Sequence, residues 1–166
     1  QISVPVTIEM PETFEPEFRR DVNPILTKLG CNAGTCHGSA DGKMGFKLSL
    51  RGYDPIFDLR AFTDDMGARR TNLASPSESL MLAKPAAMVP HSGGQLIKPD
   101  EKYYQVIREW IRAGAKTNAD AARVVSVELI PKNPVLNEAG DIQQMRLVAT
   151  WSDGTTRDVT REGFIE

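Results

Sequence analysis

Cys31-Asn32-Ala33-Gly34-Thr35-Cys36-His37 is the stretch on which the reading of this chain turns. It holds both cysteines and one of the two histidines in 166 residues. Two thiols followed directly by an imidazole form the grouping that attaches a c-type haem. In that reading Cys31 and Cys36 each form a thioether with the porphyrin, and His37 is the proximal ligand of the iron. Four residues lie between the cysteines, so the loop is larger than in the common C-x-x-C-H form. Gly34 suits such a loop because it turns without a Cβ clash. Two other readings stand beside this one. Cys31 and Cys36 form a short-loop disulfide in an oxidising compartment, or Cys31, Cys36, His37 and His91 hold a zinc ion. Adjacent ligands such as Cys36 and His37 diverge, and the spacing lacks the H-x3–5-H arm of zinc fingers.

Outward from the motif, composition sets broad limits. The chain is 40% hydrophobic and 25% charged, which is the balance of a globular protein. A net charge of −2 points to neither nucleic acid nor an anionic membrane as partner. No apolar run approaches the ~20 residues that cross a bilayer. Gln1-Ile2-Ser3-Val4-Pro5 has no basic segment followed by an apolar core, so no signal peptide is visible. Covalent haem attachment takes place outside the cytoplasm, so the haem reading predicts a periplasmic or otherwise exported mature form.

Residues 1–15 alternate at Ile2, Val4, Val6 and Ile8 and predict an N-terminal strand or extended arm, with Pro5 and Pro11 keeping it at an edge. Phe18, Val22, Ile25, Leu26 and Leu29 recur at helical period. Pro24 inside that stripe predicts a kink or a start near Asn23. Gly30 then ends the helix one position before Cys31. Phe46 to Leu50 alternates and predicts a short strand. Asp54-Pro55 reads as cap and first residue of a helix, and Ser75-Pro76-Ser77-Glu78 as a capping box opening another. Asp100 caps a final helix whose apolar face is Tyr103, Ile107, Trp110 and Ile111, ended by Gly114. Beyond residue 117 the period changes to two. Val125, Val127 and Leu129 alternate, as do Met145, Leu147, Ala149 and Trp151, and Ser152-Asp153-Gly154 reads as a hairpin turn. Three strands are fewer than the ~7 of a sandwich, so this half-sheet packs on the helical part, pairs with another copy, or belongs to a longer protein.

A haem with both axial positions filled needs a second ligand. His91 is the expected one, in the loop Pro90-His91-Ser92-Gly93-Gly94, with Met88 as the alternative. Met44 sits too near the attachment loop to cross the ring, and Met81 belongs to a helical stripe with Leu80 and Leu82. Arg51, Arg69 and Arg70 are candidates to neutralise propionates, weighed against ordinary solvated charge. Tyr53 is a candidate pocket residue, as is Trp110, which is more simply the anchor of the last helix. No catalytic carboxylate pair, nucleophile constellation or phosphate loop stands out, so an electron carrier is expected rather than an enzyme.

Phe18-Arg19-Arg20-Asp21-Val22-Asn23-Pro24-Ile25-Leu26, Gly30-Cys31, Cys36-His37-Gly38, Phe46-Lys47-Leu48-Ser49-Leu50-Arg51-Gly52-Tyr53-Asp54-Pro55, Pro90-His91-Ser92-Gly93-Gly94 and the Trp110-Ile111 helix together resemble the planctomycete-type cytochrome c domain. The resemblance covers roughly residues 16–116 and includes the four-residue spacing of the cysteines. Ser92 stands where that family usually has glycine. Residues 123–160 are similar to the first part of a bacterial Ig-like domain of group 2. The resemblance implies a mainly α, class I-like cytochrome c haem domain over 16–118 and a partial Ig-like β-sandwich over 119–166. It also implies an exported module of a larger chain, carrying one covalent haem c and passing electrons to a redox protein or a neighbouring domain. The competing expectations are a haem enzyme or gas or redox sensor with a labile distal ligand, and a non-haem adhesion or scaffold module. A homo-oligomer formed through the β segment is a further expectation.

Overall fold

The computed structural model describes residues 14–164. The strand expected at Ile2, Val4, Val6 and Ile8 lies outside them. The chain runs from a π-helical turn, Phe18–Val22, into helix α1, Asn23–Lys28. A long loop carries the cysteine motif, and a 3-10 turn, Leu50–Gly52, leads to α2, Pro55–Thr63. After a second 3-10 turn, Pro76–Glu78, come α3, Leu80–Ala83, and α4, Lys102–Arg112. Strands β1, Val124–Ile130, β2, Arg146–Trp151, and β3, Thr156–Asp158, close the order.

Helix makes up only 27% and strand 12% of this structure. The expected mainly α cytochrome c-like domain joined to a partial Ig-like sandwich is therefore corrected. Prolines and glycines interrupt the helical stripes before they lengthen. Pro24 places the α-helical start at Asn23, so the turn before it winds more widely. α3 is only four residues long, and Pro85 stands two positions past its end. Most of the chain between helices is loop held by its own backbone hydrogen bonds. The C-terminal segment forms one antiparallel sheet in the order β1-β2-β3, and a sandwich needs a second sheet to pack against it.

Three further expectations are corrected. Phe46 to Leu50 forms no strand; Phe46 makes a single bridge to Lys43, and Leu48 N–H donates to the His37 carbonyl at 2.8 Å. The Ser75–Glu78 capping box does not form, because Ser75 makes no side-chain cap. Asn72 Oδ1 accepts from the N–H groups of Ala74 and Ser75 instead. The final helix starts one residue later than its Asp100 signal, with Glu101 at the cap.

One core cluster runs from Phe18 to Ala115. Phe18 and Trp110 meet with ring centroids 5.2 Å apart, so the first helical turn and the last helix pack directly. Val22, Ile25, Leu26, Leu48, Leu82, Ile107 and Ile111 fill the space around them. Below this core the sheet docks through buried Ala149 and Trp151. Arg157 stacks over the Trp151 ring at 5.0 Å and donates to buried Asp21 at 2.6 Å. Lys28 Nζ donates to the Gly163 carbonyl and Tyr103 Oη to that of Arg161. The outer strand is bare: Val124, Val125 and Val127 are each at least half exposed.

Candidate functional site

Helix α1 delivers the cysteine loop through a defined stop. Gly30 takes φ +75°, Gly30 N–H donates to Thr27 O, and Cys31 N–H to Leu26 O. These are the two bonds of a Schellman motif, with glycine at the left-handed position. Cys31 is the residue beyond it and packs against the core. The loop then folds on itself: Cys36 N–H donates to Ala33 O, His37 N–H to Cys31 O, and Gly38 N–H to Ala33 O. No left-handed turn is needed at Gly34. The tight point is Gly38, where a Cβ would lie 2.0 Å from Asn32 O.

Both cysteines are free thiols. Burial pushes the Cys31 thiol up to about 12, with Cys36 adding to the rise against a small opposing backbone hydrogen bond. Cys31 in the bare chain is thus a neutral thiol at ordinary pH, unsuited to bind a metal as thiolate. Among the described residues no group of three or more His, Cys, Asp and Glu side chains could hold a metal ion. The four-ligand zinc set of Cys31, Cys36, His37 and His91 is therefore not assembled.

The two histidines share one feature. His37 Nδ1 lies 3.0 Å from the Phe46 carbonyl oxygen, and His91 Nδ1 lies 3.2 Å from that of Gly94. A carbonyl oxygen only accepts, so in each ring Nδ1 carries the proton and Nε2 keeps its lone pair. A backbone carbonyl holding the other ring nitrogen is the usual support of a metal-bound imidazole. Burial lowers the His37 pKa, the Phe46 bond raises it, and His91, Lys43 and Arg70 lower it further. Gly93 is fitted to the His91 ring, since a Cβ there would stand 2.8 Å from Cε1.

The turn 50–53 is tied to the cysteine loop. Arg51 N–H donates to Asn32 O at 3.0 Å, and Arg51 holds φ 54°, a left-handed conformation uncommon outside glycine. Leu50 approaches Gly34, 3.7 Å from where a Cβ would sit. Arg51 is exposed and makes no side-chain ion pair among the described residues. Tyr53 is 91% exposed and Met88 52%. Met81 is buried in the core, as its helical spacing predicts. Met44 and Met66 are exposed. The two other arginines part company: Arg69 is exposed, whereas Arg70 is buried and fully engaged, so it is not free for a propionate.

Two thiols on a folded loop and two imidazoles whose Nε2 atoms make no hydrogen bond among the described residues are donor types of the kind a covalently bound haem uses. Sequence reasoning missed the carbonyl partners of both rings, the fit of Gly93 and the burial of Arg70. Only the glycines beside His91 gave a signal. Neither a known protein family nor a curated protein nor a solved structure matches this chain. No helix among the described residues is long and apolar enough to cross a membrane.

Proposed function

We propose that this chain is an exported c-type haem module that transfers electrons, with one haem held through Cys31 and Cys36 and ligated by His37 and His91. The reading rests chiefly on the matched Nδ1–carbonyl bonds of the two histidines, which leave the Nε2 lone pairs available for a metal. The resemblance of residues 16–116 to planctomycete-type cytochrome c domains supports it. When bound, haem iron supplies one-electron chemistry at a potential set by its axial ligands and surroundings. Cys31 and Cys36 would hold the porphyrin through thioethers, each S–H adding across one vinyl C=C with no group lost. His37 is held from both sides, by its own N–H to Cys31 O and by Leu48 N–H to its carbonyl. These bonds anchor the His37 backbone between the cysteine loop and Leu48. Arg51, exposed on the turn bonded to the cysteine loop, would pair with an anionic group such as a propionate. The partner is a redox protein or another domain of a larger chain.

The test is production in a host with c-type maturation machinery. The intact protein should gain the mass of one haem, and the colour should survive denaturation. Cys31→Ala combined with Cys36→Ala should abolish both. The oxidised spectrum should lack a sulfur–iron charge-transfer band, whereas its presence would put Met88 in place of His91. A mass equal to the bare chain removes the whole reading. A second reading is a sensor or enzyme with a labile distal ligand. It is favoured by the shallow placement of His91 in a glycine-rich loop. Rapid carbon monoxide binding by the reduced protein would select it over electron transfer.

A further inference from the structure

Arg70 lies one aromatic ring behind His37. Its guanidinium carbon is 4.4 Å from the Phe46 ring centroid, and the Phe46 ring is 4.6 Å from that of His37. The same Phe46 provides the carbonyl that accepts from His37 Nδ1, and its ring also packs on Phe62 at 5.0 Å. The arginine is buried and locked: Nη1 donates to Ala61 O at 2.7 Å and Nη2 to Gly45 O at 3.3 Å. Its one carboxylate partner among the described residues is Asp65, at 3.1 Å, and the Asp65 side chain is 60% exposed. The positive charge therefore sits inside the protein, while its counter-charge stands in water, where it is screened. His91 and Lys43 also act on His37, ahead of Arg70; Lys43 is exposed to solvent, where its charge is screened.

We propose that Arg70 is a positioning residue that steadies Phe46 behind His37 and places a fixed positive charge beside the axial ligand, raising the reduction potential of the bound haem. The inference rests on the haem reading. Oxidation adds one positive charge at the iron, and a buried cation behind the proximal ring disfavours that added charge. Asp65 offsets the effect in part, and less than its distance implies, because water screens it.

The test compares the haem-loaded wild type with Arg70→Gln, Arg70→Lys and Asp65→Asn. Midpoint potentials are measured by redox titration, and melting curves are recorded on the unloaded chains. Arg70→Gln should shift the ratio of oxidised to reduced protein about tenfold towards oxidised, equal to ~59 mV for one electron. Arg70→Lys keeps the charge and loses the fork. It should melt early, as the Gln variant does, yet hold a potential near that of the wild type. Asp65→Asn lies at the surface and leaves the fold intact, so it remains informative if Arg70→Gln does not fold. It should shift the potential the opposite way by a smaller amount. Equal potentials across the haem-loaded set, or equal shifts for the Gln and Lys variants, overturn the role given to Arg70 alone. A wild type without covalent haem overturns the parent reading and this one with it.

Discussion

Asp58 shows how a single residue outside the motif steadies it. Its carboxyl is fully buried and accepts from Ser49 N–H at 2.5 Å and Ser49 Oγ at 2.8 Å. It thereby fastens α2 to the segment that leads back, through Leu48, to the His37 carbonyl. Burial pushes the Asp58 carboxyl above its ordinary value, the two Ser49 bonds pull it back, and Asp54 adds a push upward. The folded chain therefore binds this proton more tightly than the unfolded one. Stability from this group is complete below the unfolded value of ~3.9 and is lost as pH rises through the raised folded value. Asp58→Asn keeps an acceptor for Ser49 and removes the titration. Denaturant unfolding of wild type and variant from about pH 3.5 to about pH 7 should give a difference that falls with pH and then levels off. A difference that is flat or that rises would remove Asp58 as the cause. Asp58→Ala should cost about 1–3 kcal/mol, since the Ser49 donors lose their partner. Nothing in the sequence marks this aspartate: it sits among other carboxylates on an amphipathic helix, and only the fold shows that it points inward. The same holds for Arg70 beside Arg69. Cysteines, histidines and glycines announce themselves by rarity and geometry, while buried charges do not.

At the scale of elements, local signals were legible where one residue settles the backbone and illegible where two must cooperate. Asp54 accepts from Phe57 N–H at 3.0 Å, with Pro55 next in line, as its pattern implies. Gly30 and Gly114 both end helices with positive φ, because no other residue takes that conformation without cost. The Ser75–Glu78 pair has the same letters as a capping box, yet Asn72 takes the Ser75 N–H, along with that of Ala74, and the Glu78 N–H goes to the Ser75 carbonyl. Its side chain bonds two and three residues onward, a short-range competition that a motif does not reveal. The expected strand at 46–50 failed for a similar reason, since its backbone bonds go to the His37 loop rather than to a neighbouring strand. Three substitutions separate these cases. Asp54→Ala should lower stability by about 1 kcal/mol. Asn72→Ala should cost a comparable ~1 kcal/mol through its two lost bonds. Ser75→Ala should lie within about 0.5 kcal/mol of the wild type. Thermal melts of the three variants check this, and a Ser75→Ala loss equal to that of Asp54→Ala would restore the capping box.

For the whole molecule, the helical part has its own core and the sheet does not. Trp151 and Ala149 are buried only because β2 turns them towards the first helical turn, while β1 leaves Val124, Val125 and Val127 in water. Change of period near residue 117 made the two parts legible. The seam was not, because it is built from polar groups far apart in sequence: Arg157 with Asp21, Lys28 with Gly163 and Tyr103 with Arg161. Asp21 is the centre of that seam. Its carboxylate takes Glu17 N–H at 2.8 Å, Arg20 Nε at 2.9 Å and Arg157 Nη1 at 2.6 Å. With a 3%-exposed side chain, its buried carboxylate oxygens depend on those donors for their hydrogen bonds. Arg157 also covers Trp151, so its removal opens the apolar contact along with the ionic one. A three-stranded sheet with one face half bare has little stability of its own. The wild-type chain should therefore unfold in a single transition, seen alike by tryptophan fluorescence and far-ultraviolet circular dichroism. Arg157→Ala should cost about 1.5–3 kcal/mol, the range for a hydrogen bond to a charged group. It should also release the sheet first, so that the Trp151 signal changes before the helical one. Coincident transitions in the variant, at the wild-type midpoint, would mean that apolar contact alone holds the sheet in place.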